Sequence, residues 1–167
     1  MSGILSYTAF GEKSGIHGGL PSFMAHGTGN DYESGMNSLS DNDTLKFSGV
    51  EINVGGHYSA TTWRFTAPIS GFYVFHWNLT FQDIDAGGND WVELDTTRGF
   101  GRPTAYFNLR DHNLTANPSY CDFAAATGID LHRGESAGMK YQNQGGNVPN
   151  YLRSESWFSG HLVTPYI

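Results

Sequence analysis

The chain has 167 residues, 14% of them aromatic and only 15% charged, with 22 glycines, one cysteine and a net charge of −7. That length makes one domain with a sizeable core, and aromatics, β-branched residues and turn formers in this proportion favour an all-β fold over a helical one. The acidic balance excludes nucleic acid as a partner, because phosphate recognition needs a basic stripe, and it disfavours anionic membrane surfaces.

Taken in chain order, the N-terminal "MSGILSYTAFGEKSGIHGGL" lacks the basic start and continuous apolar run of a signal peptide, so folding in a cytoplasm is expected. No stretch approaches 18 apolar residues, so no membrane insertion is expected. Residues 1–44 are rich in Gly, Ser and Asn and read as an N-terminal arm with one possible strand, Phe23 to His26. Ile4, Leu5, Tyr7 and Phe10 are apolar, which a solvated tail has little reason to carry. They are the candidate positions for docking a partner.

Residues 45–167 read as the folded domain. The clearest element is "GFYVFHWNLTF". At period two, Tyr73, Phe75, Trp77, Leu79 and Phe81 share one face, while Phe72, Val74, His76, Asn78 and Thr80 share the other. One face is wholly apolar; the second changes from apolar to polar. Further strands are predicted at Thr62–Thr66, Trp91–Asp95, Thr104–Leu109, Tyr120–Ala125, Ala137–Gln142 and Ser156–Val163. Gly/Asn/Pro-rich turns such as "DAGGND", "HRGES" and "NQGGNVPN" separate them. Short strands at this spacing, with no helical period, specify a sandwich or barrel.

The chemistry-bearing residues are sparse. Cys121 is the only cysteine, which rules out an intrachain disulfide, and it reads as a buried thiol in "YCDFAAA" rather than a nucleophile. Asp83, Asp85 and Asp90 in "QDIDAGGND" offer oxygen ligands that a calcium ion would accept, although the spacing is not that of an EF-hand and acidic hairpin tips are usually solvated. No other cofactor is expected. Glu93 and Asp95 lie on one strand face and read as a solvent-facing edge rather than a glycosidase pair. His57, His76, His132 and His161 are not spaced as metal ligands. His76 stands apart, because copies of its strand face meeting at an axis would gather imidazoles able to bind a metal or sense pH. Asn-x-Thr triplets at Asn42, Asn78 and Asn113 matter only on a secretory route.

The stretch from Phe47 to Trp77 carries a fixed spacing. Phe47, Asn53, Tyr58, Phe65, Gly71, Tyr73 and Phe75 follow one another in the order Phe, five residues, Asn, four, aromatic, six, Phe, five, then Gly-x-Tyr-x-Phe-x-aromatic. This resembles the signature of the complement C1q globular domain, in the wider tumour-necrosis-factor-like superfamily, with Trp77 in the last position where the family usually has Phe or Tyr. "FTAPISGFYVF", with Pro68 and Gly71 shaping its turn, is similar to the family's strand–turn–strand core. "SWFSGHLVTPYI", with Phe158 and Gly160, is similar to its closing strand. In "IDLHRGES", Glu135 replaces the family's Asp. The resemblance covers residues 45–167, except that about 83–120 does not align.

The resemblance implies a ten-stranded jelly-roll sandwich that assembles as a homotrimer, with Phe72, Val74 and His76 at the three-fold interface. It implies no enzyme. With neither stalk nor export signal legible, the expected setting is a bacteriophage virion. The expected role is capsid decoration, with the major capsid protein or another virion protein as partner. A fibre-tip receptor-binding subunit, or an extracellular C1q-like lectin for a host surface glycan, is the alternative.

Overall fold

In the computed structural model, residues 19–28, 38–82, 90–98, 106–108, 120–143 and 150–166 are described. They contain no helix. The strands are β1 (Ser22–His26), β2 (Ser38–Leu39), β3 (Gly49–Val54), β4 (Tyr58–Ser59), β5 (Arg64–Thr66), β6 (Gly71–Gln82), β7 (Asp90–Thr96), β8 (Tyr106–Asn108), β9 (Tyr120–Leu131), β10 (Ser136–Asn143), β11 (Asn150–Leu152) and β12 (Trp157–Pro165). β2 and β4 are two-residue pairings; the other ten strands form the body of the sandwich.

All ladders are antiparallel. The first sheet runs β2-β11-β6-β12-β1-β3, with β9 paired to β6, and the second runs β4-β5-β10-β7-β8. β11 continues β12 along β6: Leu152 faces Phe81 and Trp157 faces Asn78. Between them Ser156 is fully buried, and its Oγ accepts from the Thr80 amide at 2.9 Å. The break in the ladder therefore keeps its polar groups satisfied.

β1 lies between β12 and β3. The strand expected near Phe23 to His26 thus belongs to the sandwich, and the boundary drawn at residue 44 does not separate it from the domain. Phe23 is the reason. Its ring stacks on Tyr58 at 4.8 Å and on Phe65 at 5.2 Å, and it meets Phe158 edge-on at 5.0 Å. One strand outside the signature thereby anchors rings from both sheets, and such pairs contribute beyond their buried area.

The signature spacing has a physical account. Asn53 is the penultimate residue of β3, and its side-chain amide brackets the Tyr58 backbone: Nδ2 donates to the Tyr58 carbonyl and Oδ1 accepts from its N–H, both at 2.9 Å. Gly55 and Gly56 turn the chain at φ 81° and 71°. Tyr58 Oη then donates to the Phe47 carbonyl at 2.9 Å. Asn, four residues and an aromatic is one closed turn.

Pro68 sits in the bend between β5 and β6, and Tyr73 Oη donates to the Ile69 carbonyl at 2.8 Å. Burial pushes the Tyr73 phenol up to about 12, against the smaller opposing effect of that hydrogen bond. Gly71 is needed for space rather than for an unusual φ. A Cβ there would come within 2.6 Å of the Leu162 side chain and of the Thr164 carbonyl, because β12 bulges between Leu162 and Thr164.

Candidate assembly face

The alternation of β6 decides which side of the first sheet is free. Tyr73, Phe75, Trp77, Leu79 and Phe81 are all buried between the sheets. On the outer side Phe72 is exposed and Val74, His76, Asn78 and Thr80 are half-buried. The ladder extends this outer face sideways. His76 lies opposite Ser159 and Ala126, Ser159 opposite Met24, and Met24 opposite Ile52. The next row holds Val54, Ser22, His161, Val74 and Gly128. Small and apolar side chains dominate both rows.

Among the described residues the exposed large hydrophobics are Leu20, Val50, Ile52, Phe72, Tyr120, Val163 and Tyr166. Every one lies in a strand of the first sheet or within two residues of the end of one. The second sheet carries none of them. Among its described residues the outer face, apart from the partly buried Trp91, is polar and internally paired: Arg64 contacts Asp95 at 2.6 Å, Lys140 lies 3.7 Å from the same carboxylate, and Gln142 donates to Glu93 at 3.0 Å. A monomer seldom leaves such an asymmetric apolar surface uncovered.

This arrangement revises the reading of Glu93 and Asp95. β7 is flanked by β10 and β8, so it is not a sheet edge. Their carboxylates are engaged by Gln142, Arg64 and Lys140, and so serve cross-strand pairing. Glu135 is a turn residue. Its Oε2 accepts from the His132 amide at 2.7 Å, while its own N–H donates to the His132 carbonyl at 3.0 Å. His57 lies in the turn before β4, and burial lowers its pKa. His132 is exposed between β9 and β10.

The tertiary structure does bring two histidines together. The rings of His76 on β6 and His161 on β12 stack at 5.9 Å with 9° between their planes. Nothing in the sequence announces the pair, since it exists only through the β6–β12 register. Among the described residues no group of three or more His, Cys, Asp or Glu could hold a metal ion. Asp83 and Asp85 lie outside the described residues, as do Ile4, Leu5, Tyr7 and Phe10, and the Asp90 side chain is not described.

Cys121 is half-buried and packs against the core. Burial first, then the neighbouring Asp122 carboxylate, pushes its thiol up, partly offset by a hydrogen bond to the Asp122 backbone. Less thiolate means slower alkylation. Iodoacetamide at pH 8 is expected to label the native protein several-fold more slowly than the urea-unfolded chain. Equal rates would show that the thiol is neither shielded nor raised.

The family model for the C1q domain matches residues 30–163. The globular domain of zebrafish complement 1qA superposes with a TM-score of 0.65 at 14% identity, covering 89% of this chain and 100% of that one. Murine APRIL, in a crystal structure at pH 8.0, superposes with a TM-score of 0.60 at 14% identity, covering 87% and 100%. At such identities the superpositions speak for the fold, two antiparallel sheets in a C1q/TNF-like jelly roll. With its seven signature positions placed in that sandwich and the family match spanning most of its length, the chain belongs to the C1q domain family.

Proposed function

We propose that this protein is a non-enzymatic homotrimeric module that self-associates through the outer face of the first sheet and serves as a structural component of a virion, decorating the capsid. The observation that carries the trimer is the confinement of all seven exposed large hydrophobics among the described residues to that sheet and its margins. C1q/TNF-like domains are generally non-catalytic and typically self-associate as trimers. A second and third copy are therefore the occupants that suit this face, which includes Phe72, Val74 and His76. The virion setting rests on the apolar positions Ile4, Leu5, Tyr7 and Phe10 of the N-terminal segment. Three such segments on one trimer would multiply a weak contact with a capsid shell.

Light scattering of the full chain at micromolar concentration and pH 7.5 is expected to give the mass of three chains. Val74→Glu is expected to shift it to one chain, because it places a charge in an apolar contact. A wild-type mass of one chain sinks the trimer. Deleting residues 2–20 is expected to leave a folded trimer that no longer co-sediments with capsids. Full co-sedimentation would move the anchor onto the jelly roll.

A further inference from the structure

We infer that the His76–His161 stack makes the self-association acid-sensitive: the trimer holds at neutral pH and loosens as these imidazoles take up protons. This rests on the assembly reading above and adds its regulation. The geometry has three parts. The rings lie on the outer face of the first sheet, stacked at 5.9 Å and nearly parallel. Their neighbours in the ladder are uncharged: Ser159 and Ala126 beside His76, Val74 and Ser22 beside His161.

The charged and titratable groups on the surrounding strands are already engaged, at the margins of the face. Asp122 on β9 accepts from Thr80 at 2.5 Å, and Asp130 on β9 contacts Arg98, 4.0 Å away. On β1, His26 lies 3.1 Å from Glu51 of β3. No carboxylate among the described residues is hydrogen-bonded or ion-paired to either ring of the stack, so protonation adds two like charges side by side without a described counter-charge on the rings.

The sign follows from linkage. Covering the face with another copy disfavours the charged imidazole through desolvation, and the lower dielectric strengthens a repulsion between the stacked rings that solvent screens on the open face. Separated chains therefore bind more protons than assembled ones, and acid favours separation. Assembly is at full strength above the ordinary imidazole range of about 6.5 and weakens as pH falls through it. The association constant at pH 5 is expected to be roughly tenfold or more below that at pH 7.5. Proton uptake at several sites in one trimer makes the transition steep.

Sedimentation equilibrium of the full chain from pH 7.5 to 5 tests this, with near-UV circular dichroism following the fold. The expected result is a trimer at pH 7.5 and folded single chains at pH 5. The His76→Gln/His161→Gln double variant should stay trimeric throughout. A wild-type association constant that is the same at both pH values overturns the switch and leaves the trimer standing. A single-chain mass at pH 7.5 overturns both. Dissociation of the double variant at the same pH as wild type assigns the transition to other groups. Should the double variant not assemble at pH 7.5, imidazole proton resonances of the wild type decide the matter. They must titrate at lower pH in concentrated, trimeric samples than in dilute ones, and a concentration-independent titration overturns the inference.

Discussion

Replacing Phe65 with alanine is expected to remove about 3–5 kcal/mol of stability, the range for truncating a buried aromatic. For a domain of this size that lowers the melting temperature by roughly 6–20 °C. Phe65 is fully buried on β5, in the second sheet, yet its ring contacts lie across the sandwich. It stacks on Phe23 of β1 at 5.2 Å and meets Tyr73 and Phe75 of β6 at 5.5 and 6.0 Å. Truncation leaves a cavity walled by ring faces from two strands of the first sheet. Those strands are held in register by β12, so the walls cannot easily collapse inward. Urea unfolding at matched chain concentration measures the loss. A change under 1 kcal/mol would mean that the two sheets are not joined through this ring.

Gly160→Ala is expected to cost about 1–3 kcal/mol, although it adds a single methyl group. Gly160 faces Phe75 on one side and Phe23 on the other in the ladder. A Cβ there would lie 2.5 and 2.7 Å from Phe75 ring carbons and 2.9 Å from a Phe23 carbon. Both rings are buried, and each is held by further aromatic neighbours, so neither can yield without disturbing the cluster. Gly128→Ala provides the contrast. Its Cβ would also meet a phenyl ring, that of Phe72, but this ring lies on the outer face rather than in the core, and in single chains such as the Val74→Glu variant, where the comparison is made, it can turn aside toward solvent. Comparable clashes thus predict a large loss at one site and little loss of fold stability at the other. Equal losses in urea titrations would refute the packing argument.

The extent to which each feature was legible depended on how local its cause was. The long strand was readable from its own alternation, because β6 has a core on one side only and the period of two records that difference. The Asn53–Tyr58 turn was readable as a spacing, since its hydrogen bonds close within six residues. So were the strand cores of β5, β7, β10 and β12. β2, β3, β4, β11 and the full length of β9 were not. The short pairings exist through neighbours that only folding supplies, and "AAATGID" at the end of β9 carries few of the residues that favour strands.

By itself the sequence determined an all-β sandwich or barrel, because alternation and turn residues dictate which side chains face inward, and the C1q type followed from the resemblance of its aromatic, Asn and Gly spacing to that family's signature. Only the tertiary structure decided where β1 belongs, why Gly71 must lack a side chain, and that Glu93 and Asp95 are engaged by Gln142, Arg64 and Lys140. It also decided which sheet is left apolar outside and that His76 lies against His161. All of these depend on register between strands distant in sequence, and register is set by packing of the whole core rather than by any segment alone.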